Sequence, residues 1–180
     1  FSTGAFYIFI AGAPLVADTT FKVSTAQLGL FIGSITGGFM LGSFFAGRYS
    51  PHHPLATMMI AGRLFAFGGL ILGLTLVLSG WLSPLLFFGC TIFVGFGNGI
   101  TMPSSNSGVM SVSATSAGTA AGLNGAFNVT CGALLTLLTG FVLTPANAPV
   151  LLMVLMLTAV VVSLLAALWA RRFERNDAAA

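Results

Sequence analysis

Three asparagines interrupt apolar segments of this sequence, and their carboxamides are its most distinctive chemical groups. Asn98 lies in one such segment, while Asn124 and Asn128 lie four residues apart in the next, which places them on one face of a helix. A carboxamide that faced lipid would be costly, so each must meet another polar group or water. Two interpretations stay open: the amides join neighbouring helices by hydrogen bonds, or they line a water-accessible cavity and bind a solute.

Catalytic and metal-binding chemistry has little support in this sequence. An intramembrane serine hydrolase needs a histidine deep in a span, whereas His52 and His53 both lie in a proline-flanked turn. No cysteine or carboxylate lies near this histidine pair in the sequence, so the pair is not part of a metal-ligand set. Cys90 and Cys131 lie in apolar runs, where unpaired, inert thiols are common. The sequence therefore predicts neither an enzyme nor a site for a metal or a cofactor.

The composition excludes a water-soluble domain. Hydrophobic residues make up 57% of the chain and charged residues 5%, whereas a soluble domain carries about 25% charged residues. Mean hydropathy is +1.04. The net charge of +3 is too small and too scattered for a nucleic-acid partner. The partner that this composition requires is a lipid bilayer.

Apolar runs of the length that a membrane-spanning helix needs, about 20 residues, recur along the chain between short polar or proline-containing breaks. They predict an all-α integral membrane protein with six spans and a polar tail at 171–180. The predicted spans are 1–17, 26–47, 55–78, 85–103, 118–143 and 150–170.

The second span contains an unusual number of glycines. In water each glycine in a helix costs about 0.5–1 kcal/mol relative to alanine, but in lipid small residues let two helix backbones approach closely. A spacing of four puts Gly29, Gly33 and Gly37 on one face, with Gly38 and Gly42 on an adjoining face. We therefore predict two tight helix contacts for this span.

Basic residues predict the orientation of the spans. Arg48, Arg171, Arg172 and Arg175 fall on one side of the membrane, with Arg63 near it, and Lys22 falls on the other. Because positive residues favour the cytoplasmic side, both ends of the chain are expected to be cytoplasmic.

Three stretches together resemble a known transporter family. The stretch Phe6–Ala17 (FYIFIAGAPLVA), followed by Gln27–Arg48, resembles the seventh and eighth helices of drug–proton antiporters of the major facilitator superfamily. The bicyclomycin- and chloramphenicol-resistance branch (Bcr/CflA) is the most similar. Pro103, followed by Ala117–Phe127 (AGTAAGLNGAF), resembles the junction between the tenth and eleventh helices of that branch.

This resemblance implies that the chain is the carboxy-terminal six-helix half of a twelve-helix transporter in the bacterial inner membrane. Its partner would be the amino-terminal half of the same protein. The two halves would expel small amphipathic solutes by alternating access, with the proton gradient as the energy source. The resemblance also implies two inverted three-helix repeats, Phe1–Leu78 and Leu85–Ala170. The alternative is a six-helix scaffold or channel subunit that self-associates through its glycine faces.

On this interpretation the chain supplies half of a solute site and no proton-coupling acid. The polar contacts would be Tyr7, Asn98, Asn124 and Asn128, and the apolar contacts Phe6 and Phe96. The acidic residues Asp18, Glu174 and Asp177 all lie outside the deep part of the spans, so the coupling acid is expected outside this chain.

The orientation predicted from the arginines can be tested with single cysteines. Cysteines at His53 and Asp177 should be shielded from an impermeant thiol reagent in intact cells, whereas a cysteine at Ser83 should react. Labelling of the Asp177 position from outside would reverse the orientation.

Overall fold

The computed structural model describes residues 3–50, 53–81, 83–111 and 117–177. Residues 1–2 of the predicted first span, His52 and the last three tail residues lie outside this part of the chain. The helices are α1 (Gly4–Val16), α2 (Thr25–Tyr49), α3 (Leu55–Leu78), α4 (Pro84–Ser111), α5 (Ala117–Val142) and α6 (Ala148–Asp177), and one π-helical turn, Ala17–Phe21, extends α1. Six helical segments of the described chain are long and apolar enough to cross a membrane. The predicted all-α, six-span fold is confirmed.

The start of α2 follows from its sequence. Ser24 precedes the helix with an extended backbone, and its hydroxyl oxygen accepts a hydrogen bond from the Gln27 backbone N–H at 3.3 Å. The Gln27 side chain in turn accepts from the Ser24 backbone N–H at 2.9 Å. This capping box satisfies two backbone donors that a helix start would otherwise leave without partners.

The fourth helix is longer than predicted, because Pro103 does not end it. A proline inside a helix removes the hydrogen bond to the carbonyl four residues earlier, which here is that of Gly99. The Ser43 hydroxyl, from α2, donates to this Gly99 carbonyl at 3.4 Å. In a membrane such a substitute partner lets a helix continue through proline, and α4 extends to Ser111. Similarly, α6 extends past residue 170 into the predicted tail, to Asp177.

The parallel helices α2 and α4 approach each other closely at glycines from both sides. A Cβ atom at Gly42 would lie 2.1 Å from the Phe96 carbonyl oxygen, and one at Gly38 would lie 2.7 Å from the Ile92 carbonyl oxygen. From the other helix, a Cβ atom at Gly95 would lie 2.1 Å from the Ile35 carbonyl oxygen. Any larger side chain would force the backbones apart, so the face with Gly38 and Gly42 makes one of the two predicted tight contacts.

The other predicted glycine contact has no counterpart in this chain. A Cβ atom at Gly29, Gly33 or Gly37 would meet no other atom of the described residues within 4 Å. The spacing of four correctly puts these three residues on one face, but α2 turns that face away from the other helices. Backbone contacts with α4 occupy the adjoining face instead.

Helix packing has the two-fold pattern expected of inverted repeats. Suppose that α1 is exchanged with α4, α2 with α5 and α3 with α6. Each pair of packed helices then becomes either another packed pair or itself. The pair α3–α4 becomes α1–α6, α2–α4 becomes α1–α5, and α1–α2 becomes α4–α5, while α3–α6 and α1–α4 exchange with themselves. The two groups of three helices therefore have matching sets of packed pairs, as inverted repeats would.

Gly42 gives a test of the α2–α4 contact. We expect Gly42→Ala to destabilise the folded protein by roughly 1–3 kcal/mol or more, because the added methyl group overlaps the Phe96 carbonyl oxygen. Thermal unfolding in detergent would measure this change. The matched control is Gly68→Ala on the exposed side of α3, where a Cβ atom would meet no described atom within 4 Å, and it should not lower the melting temperature. Equal melting temperatures for the two variants would remove the close-packing interpretation.

Candidate functional site

A cavity of about 280 Å³ lies between α1, α2, α4 and α5, where the two three-helix repeats meet. Its walls are mostly apolar, with a few hydroxyl and carboxamide groups among them, as is usual for sites that bind small molecules. The lining residues are Thr3, Phe6, Tyr7, Ile35, Thr36, Phe39, Gly95, Asn98, Met102 and Asn128.

A second cavity of about 210 Å³ adjoins the first and is more polar. Thr3, Met102 and Asn128 line both cavities, so they form the boundary between them. The remaining lining residues are Met59, Ser105, Asn106, Asn124, Phe127, Ser163, Ala166 and Ala167.

Besides Met102 of α4, the boundary between the cavities involves α1 and α5. The Thr3 hydroxyl, at the start of α1, is hydrogen-bonded to the Asn128 Oδ1 atom of α5. One turn further along both helices, the Tyr7 ring packs against Gly132, where a Cβ atom would lie 2.5 Å from the ring. Gly132 therefore makes the space that Tyr7 needs to lie at the cavity wall.

Asn124 also joins two helices. Its Nδ2 atom donates to the Asn106 Oδ1 atom of α4 at 3.2 Å, and both residues line the second cavity. The two interpretations of the asparagines are therefore compatible. Asn124 and Asn128 each make a hydrogen bond between helices and each line a cavity.

Asn98 belongs to a buried polar cluster between α3 and α4. The Nη2 atom of Arg63 donates to Asn98 Oδ1 at 2.8 Å, and its Nε atom donates to Thr101 Oγ1 at 3.2 Å. The Arg63 side chain is fully buried. The backbones of α3 and α4 approach closely beside this cluster, since a Cβ atom at Gly97 would lie 2.2 Å from the Gly62 carbonyl oxygen.

The structure brings together most of the residues that the sequence analysis named. Phe6, Tyr7, Asn98 and Asn128 line the first cavity, and Asn124 lines the second.

Phe96 lines neither of these two cavities. It lies two residues from Asn98, which is about 200° around the helix, and its ring contacts Phe45 and Phe65 at centroid distances of 5.8 and 5.4 Å. It faces an outer apolar groove between α2, α3 and α4. Its predicted place in the cavity is corrected accordingly.

Arg63 lies near the site, although its sequence position was interpreted only as placing a positive charge near one membrane surface. The available signal was its position eight residues inside an apolar span, since a charged residue there is functional by default. Thr36 and Met102, which also line the cavity, carry no such signal because their types are ordinary in membrane helices.

No protein-family model matches the sequence, and a search of curated proteins finds no significant match. The structure itself describes a multi-pass, all-α membrane protein with an internal, partly polar cavity.

Access of water to the first cavity can be tested at Thr36. In a background where Cys90 and Cys131 are replaced by alanine, a cysteine at Thr36 should react with N-ethylmaleimide roughly tenfold or more faster than one at Leu72. The reason is that thiols ionise and react in water but not in lipid, and Leu72 lies on the outer surface of α3. Equally slow reaction at both positions would mean that water does not enter the cavity.

Proposed function

We propose that this chain is part of a secondary active transporter that moves small amphipathic solutes by alternating access. The observation that carries this proposal is the position of the first cavity between the two groups of three helices, whose packed pairs match as those of inverted repeats would. The first two helices of each repeat line it, α1 and α2 from one and α4 and α5 from the other, while α3 and α6 do not. Transporters built from inverted repeats bind their solutes at such an interface.

The resemblance of Phe6–Ala17, Gln27–Arg48 and Ala117–Phe127 to the major facilitator superfamily supports a more specific proposal. On it, the chain is the carboxy-terminal half of a drug–proton antiporter of the Bcr/CflA type in the bacterial inner membrane, with both ends cytoplasmic. In that branch the helices equivalent to α1, α2, α4 and α5 are implied to line the cavity, which agrees with the lining residues here.

Exposure of α2 and α5 supports a second half that packs against this one. Only 17% of the α2 span and 11% of the α5 span are buried, against at least 33% of the other four spans. The cavity volume of about 280 Å³ is also small, near the lower end of about 300–1,000 Å³ for ligand pockets. An amino-terminal half that covers α2 and α5 would complete the site.

The nature of the solute follows from the cavity wall. Phe6, Tyr7 and Phe39 offer aromatic surface, while Asn98 and Asn128 offer hydrogen bonds. Such a wall suits an amphipathic molecule with an apolar body and a small polar group. None of the described lining residues is acidic, so in this proposal the proton-coupling acid belongs to another part of the protein.

A self-associating scaffold or channel subunit remains the second candidate, because the open glycine face of α2 could pack against another copy. The complete reading frame separates the two candidates. Six similar spans upstream of Phe1 would support the transporter, and a start codon near Phe1 would support the scaffold.

Flux measurements test the transporter and the role of Asn128 together. Proteoliposomes that contain the product of the complete reading frame should move tritiated chloramphenicol, or another member of a panel of amphipathic antibiotics, in response to a pH gradient. We expect Asn128→Ala to weaken solute affinity roughly 3- to 10-fold, the value of one hydrogen bond, with near-normal thermal stability.

The matched control is Thr139→Val, which changes a buried polar residue of α5 that lines neither cavity. Thr139 lies 11 residues beyond Asn128, about 16 Å along the helix, so its replacement should leave affinity unchanged. Absence of gradient-driven flux for the whole panel would contradict the transporter. A destabilised Asn128→Ala variant with unchanged affinity would instead assign Asn128 a structural role.

A further inference from the structure

We propose that Arg63 orients the Asn98 carboxamide so that the cavity presents a fixed hydrogen-bond donor. This donor selects solutes that carry a carbonyl or a comparable acceptor over solutes that carry an ammonium group. The proposal rests on the transport function proposed above and identifies the class of solute.

The orientation of Asn98 follows from the chemistry of arginine. A guanidinium has five N–H donors and no acceptor. The Asn98 atom that lies 2.8 Å from Arg63 Nη2 must therefore be the carbonyl oxygen, as found. The opposite end of the carboxamide, which points away from the guanidinium, is then the NH₂ group.

The Asn98 NH₂ group faces the cavity. Within the described part of the chain, every side-chain nitrogen or oxygen that is closed off from the surface has a hydrogen-bond partner. The Asn98 Nδ2 atom makes no hydrogen bond to the described residues, so it must reach a surface. The surface next to Asn98 is the wall of the first cavity.

The other carboxamides are not fixed in this way. Asn128 is bonded to the Thr3 hydroxyl, which can donate or accept, so Asn128 can present either end to a solute. Asn124 and Asn106 are two carboxamides bonded to each other, and reversal of both preserves their hydrogen bond. Among these asparagines, only Asn98 has a partner that dictates its orientation.

Hydrogen-bond direction also disfavours cationic solutes at this position. An ammonium group has only N–H donors and no acceptor, so it cannot accept a hydrogen bond from the Asn98 NH₂ group.

Three naphthalenes of similar shape provide the probes: 2-acetylnaphthalene, 2-isopropylnaphthalene and 1-(2-naphthyl)ethylamine as its ammonium ion. Their binding is measured by equilibrium dialysis with the product of the complete reading frame in nanodiscs. We expect the acetyl compound to bind roughly 3- to 10-fold more tightly than the isopropyl compound, the value of one neutral hydrogen bond. The ammonium compound should bind more weakly than both.

Two kinds of variant separate orientation from structural support. Asn98→Asp keeps an oxygen toward Arg63 but replaces the NH₂ group by a second oxygen, so the acetyl preference should disappear and ammonium binding should strengthen. Arg63→Met removes the orienting donor and should bring the acetyl-to-isopropyl ratio close to one. Arg63→Lys, which can still donate to Asn98 Oδ1, should restore the ratio. Thr139→Val, which lines neither cavity, should leave the ratio at its original value.

The outcomes distinguish this proposal from the proposed function. Equal binding of the three compounds by the original protein would overturn the proposed selectivity and leave the solute cavity intact. An unchanged acetyl preference in Asn98→Asp would do the same, and this variant carries the test if the Arg63 variants do not fold. If none of the compounds binds and no gradient-driven flux occurs, both proposals fail.

Discussion

Close approach of helix backbones along α4 determines where the other parts of this structure lie. Gly95 and Gly99 meet backbone atoms of α2, and Gly97 meets the Gly62 carbonyl of α3 on another face. In lipid, apolar side chains give no hydrophobic drive for helix association, so such contacts depend on small residues and close packing. Asn98 lies between Gly97 and Gly99 in the sequence. The glycines that pack α4 against two neighbours therefore also set the position of the carboxamide between Arg63 and the cavity.

Hydrogen bonds between polar side chains have a different effect from the close backbone contacts at glycines. Hydrogen bonds between membrane helices contribute about 0.6 kcal/mol on average, so Thr3–Asn128 and Asn124–Asn106 add little stability. They do tie α5, the least buried span, to α1 and α4 at the boundary of the two cavities. These directional bonds therefore fix where α5 meets the boundary of the two cavities.

The sequence predicts the number of spans because hydropathy over about 20 residues depends on local composition alone. Prediction from the sequence fails where a contact with a distant residue determines where a helix ends or which face is packed. Pro103 was expected to end a helix, but Ser43, 56 residues earlier than Gly99, donates to the carbonyl that proline leaves free. Spacing places Gly29, Gly33 and Gly37 on one face but cannot state whether a neighbour meets it. Phe96 was expected as an apolar contact in the cavity, although its two-residue offset from Asn98 already indicates the opposite side of α4.

The arrangement of the helices creates the cavity, and the side chains that line it determine its chemistry. The same packing pairs occur in both repeats, so the space between α1, α2, α4 and α5 follows from the arrangement of the helices. The groups that line it are not symmetric, because the first repeat supplies aromatic and hydroxyl groups and the second supplies both carboxamides. Fixing one carboxamide then requires Arg63, which comes from α3, a helix outside the cavity wall. In the proposed transporter, selectivity can therefore change through a residue that does not line the cavity, while the packing that creates the cavity stays the same.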